Sequence, residues 1–447
     1  MSLNHRSQEG RRRFLAGAFG IALYLALALA PLLLMLFADA PAGRERWREL
    51  SVALGFGGLS ILMLQFAVSA RLRRLKAPYG VDVVYHFHRQ ITFVALGLVL
   101  LHPVLLFVFE PATLGLLDVF SAPWRARMAV LSVVALLGII TTAIWRRSFA
   151  LSYERWRLVH DILAIVLVSA ATTHVALVGH YVSTPWKRSL WVAYAAMTIL
   201  LVLWVRLGKP LVRLRRPYRV TRVCAEGPEV WSLAFEPVGH RGIHFEPGQF
   251  AWITLGRSPF SLEEHPFSFS SSAAGTGSFE VSVKELGDFT SRIGATEPGT
   301  VAYIDGPFGA FDPERYPAPG HVFIAGGVGI TPFMSILRTS ADRHDPTPTT
   351  LFYGAPTLER LVFAEEITAL TTRFPLAFVP VVQEPPAEWS GESGYLDRDV
   401  LERHIDSPLE QEYFLCGPPP MIEGVIRTLS AMGVPQRRIH YERFDFV

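Results

Sequence analysis

The chain has 447 residues, half of them hydrophobic, and a formal net charge of +3. That length exceeds what one hydrophobic core usually supports, so two or three domains are expected. The small charge, with no aromatic-interleaved Lys/Arg block, excludes a nucleic-acid surface, and two distant cysteines, Cys224 and Cys416, exclude a disulfide framework, a zinc site or an iron–sulfur cluster.

Nearly all the long apolar runs precede Arg206, and the remainder of the chain has the Gly, Pro and charge content of a soluble protein in a reducing compartment. The apolar runs are Phe14 to Phe37, Ser51 to Ala70, Phe87 to Phe109, Met128 to Trp145, Leu158 to Val178 and Leu190 to Leu207. Each is near the roughly 20 residues that a helix needs to cross a ~30 Å hydrocarbon core, so six crossings are expected.

Basic residues set the orientation. Arg11, Arg12 and Arg13 precede the first run, Arg71, Arg73, Arg74 and Lys76 come after the second, and Arg146, Arg147, Arg155 and Arg157 come after the fourth. Arg206, Lys209, Arg213, Arg215 and Arg216 close the sixth. The positive-inside tendency makes all of these cytoplasmic, along with both termini and the soluble half. The opposite loops are poorer in bases but carry Arg44, Arg46, Arg48, Arg125, Arg127, Lys187 and Arg188. The expectation is a multi-pass protein of a bacterial inner membrane. RRRFLAG, from Arg11, also has the look of a twin-arginine export signal, but its apolar run is longer than the roughly 7 to 15 residues of a signal core.

The third run holds His88 and His102 and the fifth holds His160 and His174, each pair fourteen residues apart. Fourteen residues fall about 40° short of four full helical turns, so each pair lies on one face with its members roughly 21 Å apart. Both helices run outward, which sets His88 level with His160 and His102 level with His174. Such an arrangement suits two stacked haems, each iron held axially by two imidazoles and tuned for electron transfer. Any one of these histidines also reads as a polar residue packed between helices, but ionisable groups inside a membrane are costly and tend to be functional. Arg89 and Arg157 are candidates to neutralise haem propionates, or ordinary interface anchors.

From Tyr218 to Pro307 short β-rich runs (VTRV, VWSLAF, FAWITL, FEVSV, VAYIDG) alternate with turn residues, as in a small antiparallel barrel. After Pro317 strands alternate with helices (HVFIAG, TLFYG, LAFVPVV, YFLCG), which predicts a parallel sheet with crossover helices. GGVGITP, Gly326 to Pro332, comes after a strand and opens a helix, where free N–H groups and the helix dipole hold a phosphate. LCGPPPM, Leu415 to Met421, ends another strand of that sheet.

These motifs, with HPFSFSS from His265 to Ser271, PGQF from Pro247, GDFT from Gly287 and GPFG from Gly306, carry a family resemblance. The soluble half resembles the ferredoxin–NADP reductase superfamily, and the whole chain resembles the ferric reductase and NADPH oxidase group. The fold this implies is a multidomain membrane protein: an all-α six-helix transmembrane bundle (14–210) behind a short cytoplasmic N-terminus (1–13), an antiparallel β-barrel FAD domain (211–316) and an α/β parallel-sheet NAD(P) domain (317–447).

The resemblance also implies that His265, Pro266, Phe267 and Ser268 line FAD, His265 standing where many superfamily members carry an arginine. Val283, Lys284 and Thr290 would support the flavin ring and pyrophosphate. Gly326, Gly327, Gly329, Thr331 and Pro332 would receive the nicotinamide nucleotide, with Cys416 and Gly417 near the nicotinamide. Either Phe444 or Phe446 would cover the flavin. Free cysteine is often just a small buried hydrophobe, and Phe250, Phe267 and Phe269 also suit a barrel core. The implied activity is electron transfer from NADPH or NADH through FAD and two haem b groups to oxygen, giving superoxide, or to a ferric chelate. A haem-free flavoreductase anchored by its helices is the rival from another class. Segment GAPTLER offers only Arg360 for a 2′-phosphate, and no obligatory protein partner is evident.

Overall fold

The computed structural model describes residues 3–37, 44–72 and 80–442. Its main bodies are a helical unit that ends at Lys209 and a mixed α/β unit from Pro210 onward.

In the helical unit six helices are long and apolar enough to cross a membrane. They are α1 (Leu3–Phe37), α2 (Arg46–Ser69), α3 (Val81–Phe109), α4 (Trp124–Ile144), α5 (Tyr153–Val178) and α6 (Pro185–Leu203). Several start before their apolar runs, because polar first turns belong to the same helix. Arg46 and Arg48 open α2, Arg125 and Arg127 open α4, and Lys187 and Arg188 open α6. Local chemistry sets the ends of α5: the Ser152 side chain accepts from the Arg155 N–H, and Gly179 terminates it at φ +73°. Beyond α6 a π-turn (Trp204–Gly208) leads into α7 (Lys209–Leu214).

Small residues bring the helices together. A Cβ on Gly58 of α2 would sit 2.6 Å from Val99 and 3.1 Å from the Ala95 carbonyl oxygen on α3. Leu62, Ala95, Leu136, Ile139 and Leu167 form a buried cluster, while Leu131, Val134, Ile162 and Leu200 stay exposed. Exposed leucines on long apolar helices are what a lipid-facing surface requires, and the chain is a multi-pass membrane protein.

The α/β unit begins with an antiparallel sheet of β1 (Tyr218–Gly227), β2 (Val230–Pro237), β3 (Phe250–Leu255), β4 (His265–Ser268), β5 (Phe279–Lys284) and β6 (Val301–Phe308). The strand order is β4-β3-β6-β1-β2-β5, and a bridge from Phe269 to Val281 joins the two edges. Val220, Leu233, Phe235, Phe269, Phe279 and Val281 fill the barrel.

The second sheet consists of β7 (His321–Gly326), β8 (Thr349–Ala355), β9 (Leu376–Val382), β10 (Glu392–Ser393), β11 (Glu412–Cys416) and β12 (Ile439–Glu442). All its pairings are parallel, in the order β10-β9-β8-β7-β11-β12. Helices α8 (Ile330–Arg343), α9 (Ala364–Leu370), α10 (Arg398–His404) and α11 (Pro419–Ala431) lie among these strands in sequence. The chain steps one way from β7 to β10 and then returns to lay β11 on the other side of β7. The strand order therefore reverses between β7 and β11, and the crevice at their carboxyl ends is where open α/β sheets bind ligands.

Candidate functional site

Two histidines on different helices face each other in the helical unit. The rings of His102 (α3) and His174 (α5) have centroids 6.4 Å apart and planes inclined at 64°. Two imidazoles bound across one metal at nitrogen–metal bonds of about 2 Å place their centroids roughly 6 Å apart. Each ring also has its Nδ1 held by backbone. The Ser51 carbonyl oxygen and hydroxyl lie 2.9 Å from His102 Nδ1, and the Arg125 carbonyl oxygen lies 2.7 Å from His174 Nδ1. A carbonyl at Nδ1 fixes the tautomer that leaves Nε2 as the electron-pair donor. Gly55 makes room for the pair, since a Cβ there would come within 3.2 Å of the His102 ring.

At the other level His88 (α3) has Nδ1 3.0 Å from Gln65 Oε1, and Gln65 in turn donates to Tyr24 at 3.0 Å. His160 (α5) packs against Trp156 at 5.4 Å, and its Nδ1 is buried without a hydrogen-bond partner among the described residues. Among the described residues no group of three or more His, Cys, Asp or Glu would hold a bare metal ion. The facing pair His102 and His174 suits an iron whose other four ligands come from a porphyrin.

Ser51, Gly55 and Gln65 escape motif reading, yet for Ser51 and Gln65 a signal exists: polar residues inside an apolar run need partners, and these lie on the neighbouring helix from the histidines they support.

In the α/β unit the two motif segments meant for a flavin lie together. The His265 ring stacks on Phe289 of GDFT at 4.1 Å, and Phe267 lies 6.2 Å from Phe289. Pro266 continues β4 beside β3, pairing with Trp252. Ser268 is buried, and its hydroxyl has no hydrogen-bond partner among the described residues. An orphaned hydroxyl in this segment is what a polar ligand with acceptor atoms would satisfy. Thr290 is used differently: its hydroxyl accepts from the Leu286 and Gly287 N–H groups at 2.9 and 3.0 Å and so shapes the turn. The Val283 side chain belongs to the barrel core, and Lys284 Nζ lies 4.0 Å from the Glu229 carboxylate. Arg213 of α7, at 3.3 Å from Glu264 and 2.5 Å from Asp305, pins the residue next to His265.

The two glycine turns meet at the reversal crevice. A Cβ on Gly329 would fall 2.3 Å from the Cys416 carbonyl oxygen, and one on Gly417 would fall 3.0 Å from the Gly326 nitrogen. Only glycine allows this approach. Gly327 turns at φ +53°, and α8 starts immediately after Gly329 with Thr331 and Pro332 in its first turn. Thr331 Oγ1 donates to the Val328 carbonyl at 2.9 Å and reaches the Ser282 carbonyl of the barrel at 3.5 Å. Cys416 is fully buried, and burial, with Glu442 nearby, pushes its thiol well above the usual range. It is a neutral wall of the crevice rather than a thiolate. Phe444 and Phe446 lie outside the described residues.

Arg338 of α8 locks barrel and sheet together. It forms a paired contact with Glu366 at 2.7 Å, and Nη1 donates to the Ser270 carbonyl at 2.8 Å and to Glu280 at 3.1 Å.

Residues 54–171 match the ferric reductase like transmembrane component, residues 219–310 match an FAD-binding domain, and residues 323–427 match an oxidoreductase NAD-binding domain. The chain is 30% identical over 248 residues to the reductase component of propane 2-monooxygenase from Rhodococcus jostii, covering 53% of this chain and 65% of that one. It is 29% identical over 239 residues to the glycine betaine monooxygenase reductase subunit of Chromohalobacter salexigens, covering 52% and 64% respectively. The chain thus spans just under two thirds of the length of these relatives. A solved structure of the ferredoxin reductase in carbazole 1,9a-dioxygenase superposes on 51% of this chain and 69% of its own, with 26% identity and a TM-score of 0.46. The three matched segments place a ferric reductase like transmembrane component ahead of an FAD-binding domain and an oxidoreductase NAD-binding domain in one chain.

Proposed function

We propose that this reductase carries electrons across the bilayer, from cytoplasmic NADH or NADPH through FAD and two haem b groups to oxygen, which leaves as superoxide. The observation that carries the reading is the facing pair His102 and His174, 6.4 Å apart with both Nδ1 atoms tethered to backbone carbonyls. Bound FAD would supply the exchange between two-electron hydride chemistry and single-electron chemistry, which haem iron needs because it cannot accept a hydride.

The chain's own residues do the rest. His102 and His174 would hold one haem iron and His88 and His160 the other. Ser51 and the Arg125 carbonyl orient the first pair, and Gln65 orients His88. His265, Pro266, Phe267 and Ser268 line the flavin, whose segment is braced by Val283, Lys284 and Thr290. Gly326, Gly327 and Gly329 clear space at the N-terminus of α8 for the nucleotide pyrophosphate, where free N–H groups favour negative charge. Thr331 and Pro332 shape that turn. Cys416 and Gly417 bring the nicotinamide toward the barrel.

Oxygen is favoured over an anionic ferric chelate because several bases in the loops opposite the cytoplasm are already engaged. Arg48 pairs with Glu110, Arg127 donates to the Ala122 and Phe120 carbonyls at 2.8 Å, and Arg188 donates to the Val182 carbonyl at 3.0 Å. The test is NAD(P)H oxidation by the purified, FAD-supplemented protein in air with superoxide trapped, beside an anaerobic assay with a ferric chelate. Superoxide commensurate with nucleotide consumed is expected; fast iron reduction with little superoxide would make it a ferric reductase. A purified sample with no Soret band would leave only a haem-free flavoreductase.

A further inference from the structure

We infer that the nucleotide crevice selects NADH over NADPH, through Glu384 at the end of β9 and Glu229, which holds Arg360 away from the ribose. The inference rests on the proposed nucleotide site at the carboxyl edge of the parallel sheet. In such sheets an acidic side chain beyond the second strand hydrogen-bonds the ribose 2′-hydroxyl of NAD, whereas a basic one accommodates the 2′-phosphate of NADP, and here the end of the third strand, β9, is hydrogen-bonded against the end of the second, β8.

The chain ends after β8 and β9 form one surface. The Gln383 N–H donates to the Ala355 carbonyl at 3.0 Å, and the Glu384 N–H donates to the Pro356 carbonyl at 2.9 Å. The edge therefore presents Ala355, Pro356 and Thr357 from one strand end and Gln383 and Glu384 from the next, with Glu384 exposed. None of these bears a positive charge, and a phosphate dianion there meets a carboxylate.

Arg360, three residues beyond Thr357, is turned to another partner. Its Nη1 lies 3.1 Å from Glu229 Oε2, in the hairpin between β1 and β2 of the barrel. That hairpin is seated against the segment after β8: a Cβ on Gly227 would come within 2.8 Å of Val362, and Val230 is buried in the same cluster as Leu361 and Val362. Glu229 adopts φ +62°, a left-handed conformation that favours Gly or Asn. A glutamate kept at such a position points to a use for its side chain, and Arg360, with Lys284 at 4.0 Å, supplies one. The Arg360–Glu229 pair is half-exposed and so weak by itself. Glu384 is accordingly the larger determinant.

The experiment uses the full-length purified protein with FAD. Binding of NAD+ and NADP+ is measured by titration calorimetry, and kcat/KM for flavin reduction is measured with NADH and NADPH. Wild type should favour the unphosphorylated nucleotide in both assays by at least about tenfold. Glu384→Arg should shrink that ratio at least about tenfold, mainly through KM for NADPH, and Glu229→Gln should shrink it a fewfold by releasing Arg360. Thermal melts check that both variants fold. Preference of wild type for NADPH, or selective loss of NADPH use in Arg360→Ala, would overturn the inference while leaving the nucleotide site standing. Failure of both nucleotides to bind or reduce the flavin would overturn the site itself.

Discussion

A haem ligand is only as good as the group behind it. Ser51 presents both its carbonyl and its hydroxyl at 2.9 Å to His102 Nδ1, so Ser51→Ala removes the hydroxyl contact and leaves the carbonyl one. Supporting contacts of this kind typically alter affinity about 10- to 100-fold, and a partial loss should lie at the low end. On the proposed di-haem reading, Ser51→Ala should retain both haems, with a shifted midpoint potential for one of them, readable by redox titration. Gly55→Ala is harsher, because its Cβ would press on the His102 ring at 3.2 Å. It should cost about half of the Soret absorbance, as should His102→Ala, while flavin reduction by nicotinamide persists in both. Undiminished haem content in His102→Ala would sink the ligand assignment. The histidine spacing was legible in the sequence because one helix carries both members of each pair. The partners of those histidines were not, since Ser51 and Gln65 sit on a different helix and only packing brings them over.

At the scale of elements, apolar runs located all six helices but misjudged several ends, because a hydropathy pattern stops where the polar first turn begins while hydrogen bonding continues. The same limit hid β10 and β12, each too short to show a period. The short 3-10 turn Pro313–Arg315, which links barrel and sheet, has a titrating anchor. Asp312 accepts from the Glu314 N–H at 3.0 Å and from Arg315 at 3.4 Å. Burial nevertheless outweighs the arginine and pushes its carboxyl up from 3.8 to about 6. A pKa raised on folding means that the native state binds the extra proton. Stability from this group is thus fully present below about pH 4 and is lost as pH rises through about 6, a change of up to about 3 kcal/mol. The thermal midpoint of the full-length protein should fall between pH 5 and pH 7.5, and Asp312→Asn should flatten that slope. Equal slopes in the two proteins would show that the carboxyl does not titrate in this window.

Over the whole molecule the two units answer different solvents, and each constrains the other's role. The α/β unit builds its ligand crevice from backbone approach at Gly326, Gly329 and Gly417, whose motifs are contiguous in the chain and were therefore readable from the sequence alone. The helical unit builds its sites from residues far apart in the chain. The proposed orientation, with the bases near Arg146, Arg157 and Arg206 on the cytoplasmic side by the positive-inside tendency, would put NADH and the final acceptor on opposite faces of the bilayer. Inverted membrane vesicles should then oxidise externally added NADH while trapping superoxide inside, and right-side-out vesicles should oxidise none until permeabilised. In His174→Ala the inverted vesicles should still pass electrons from NADH to a soluble dye on the nucleotide side but deliver none to the lumen. Lumenal superoxide at the unmutated rate would mean that the electrons bypass the paired histidines, and the helices would then be an anchor for the reductase and nothing more.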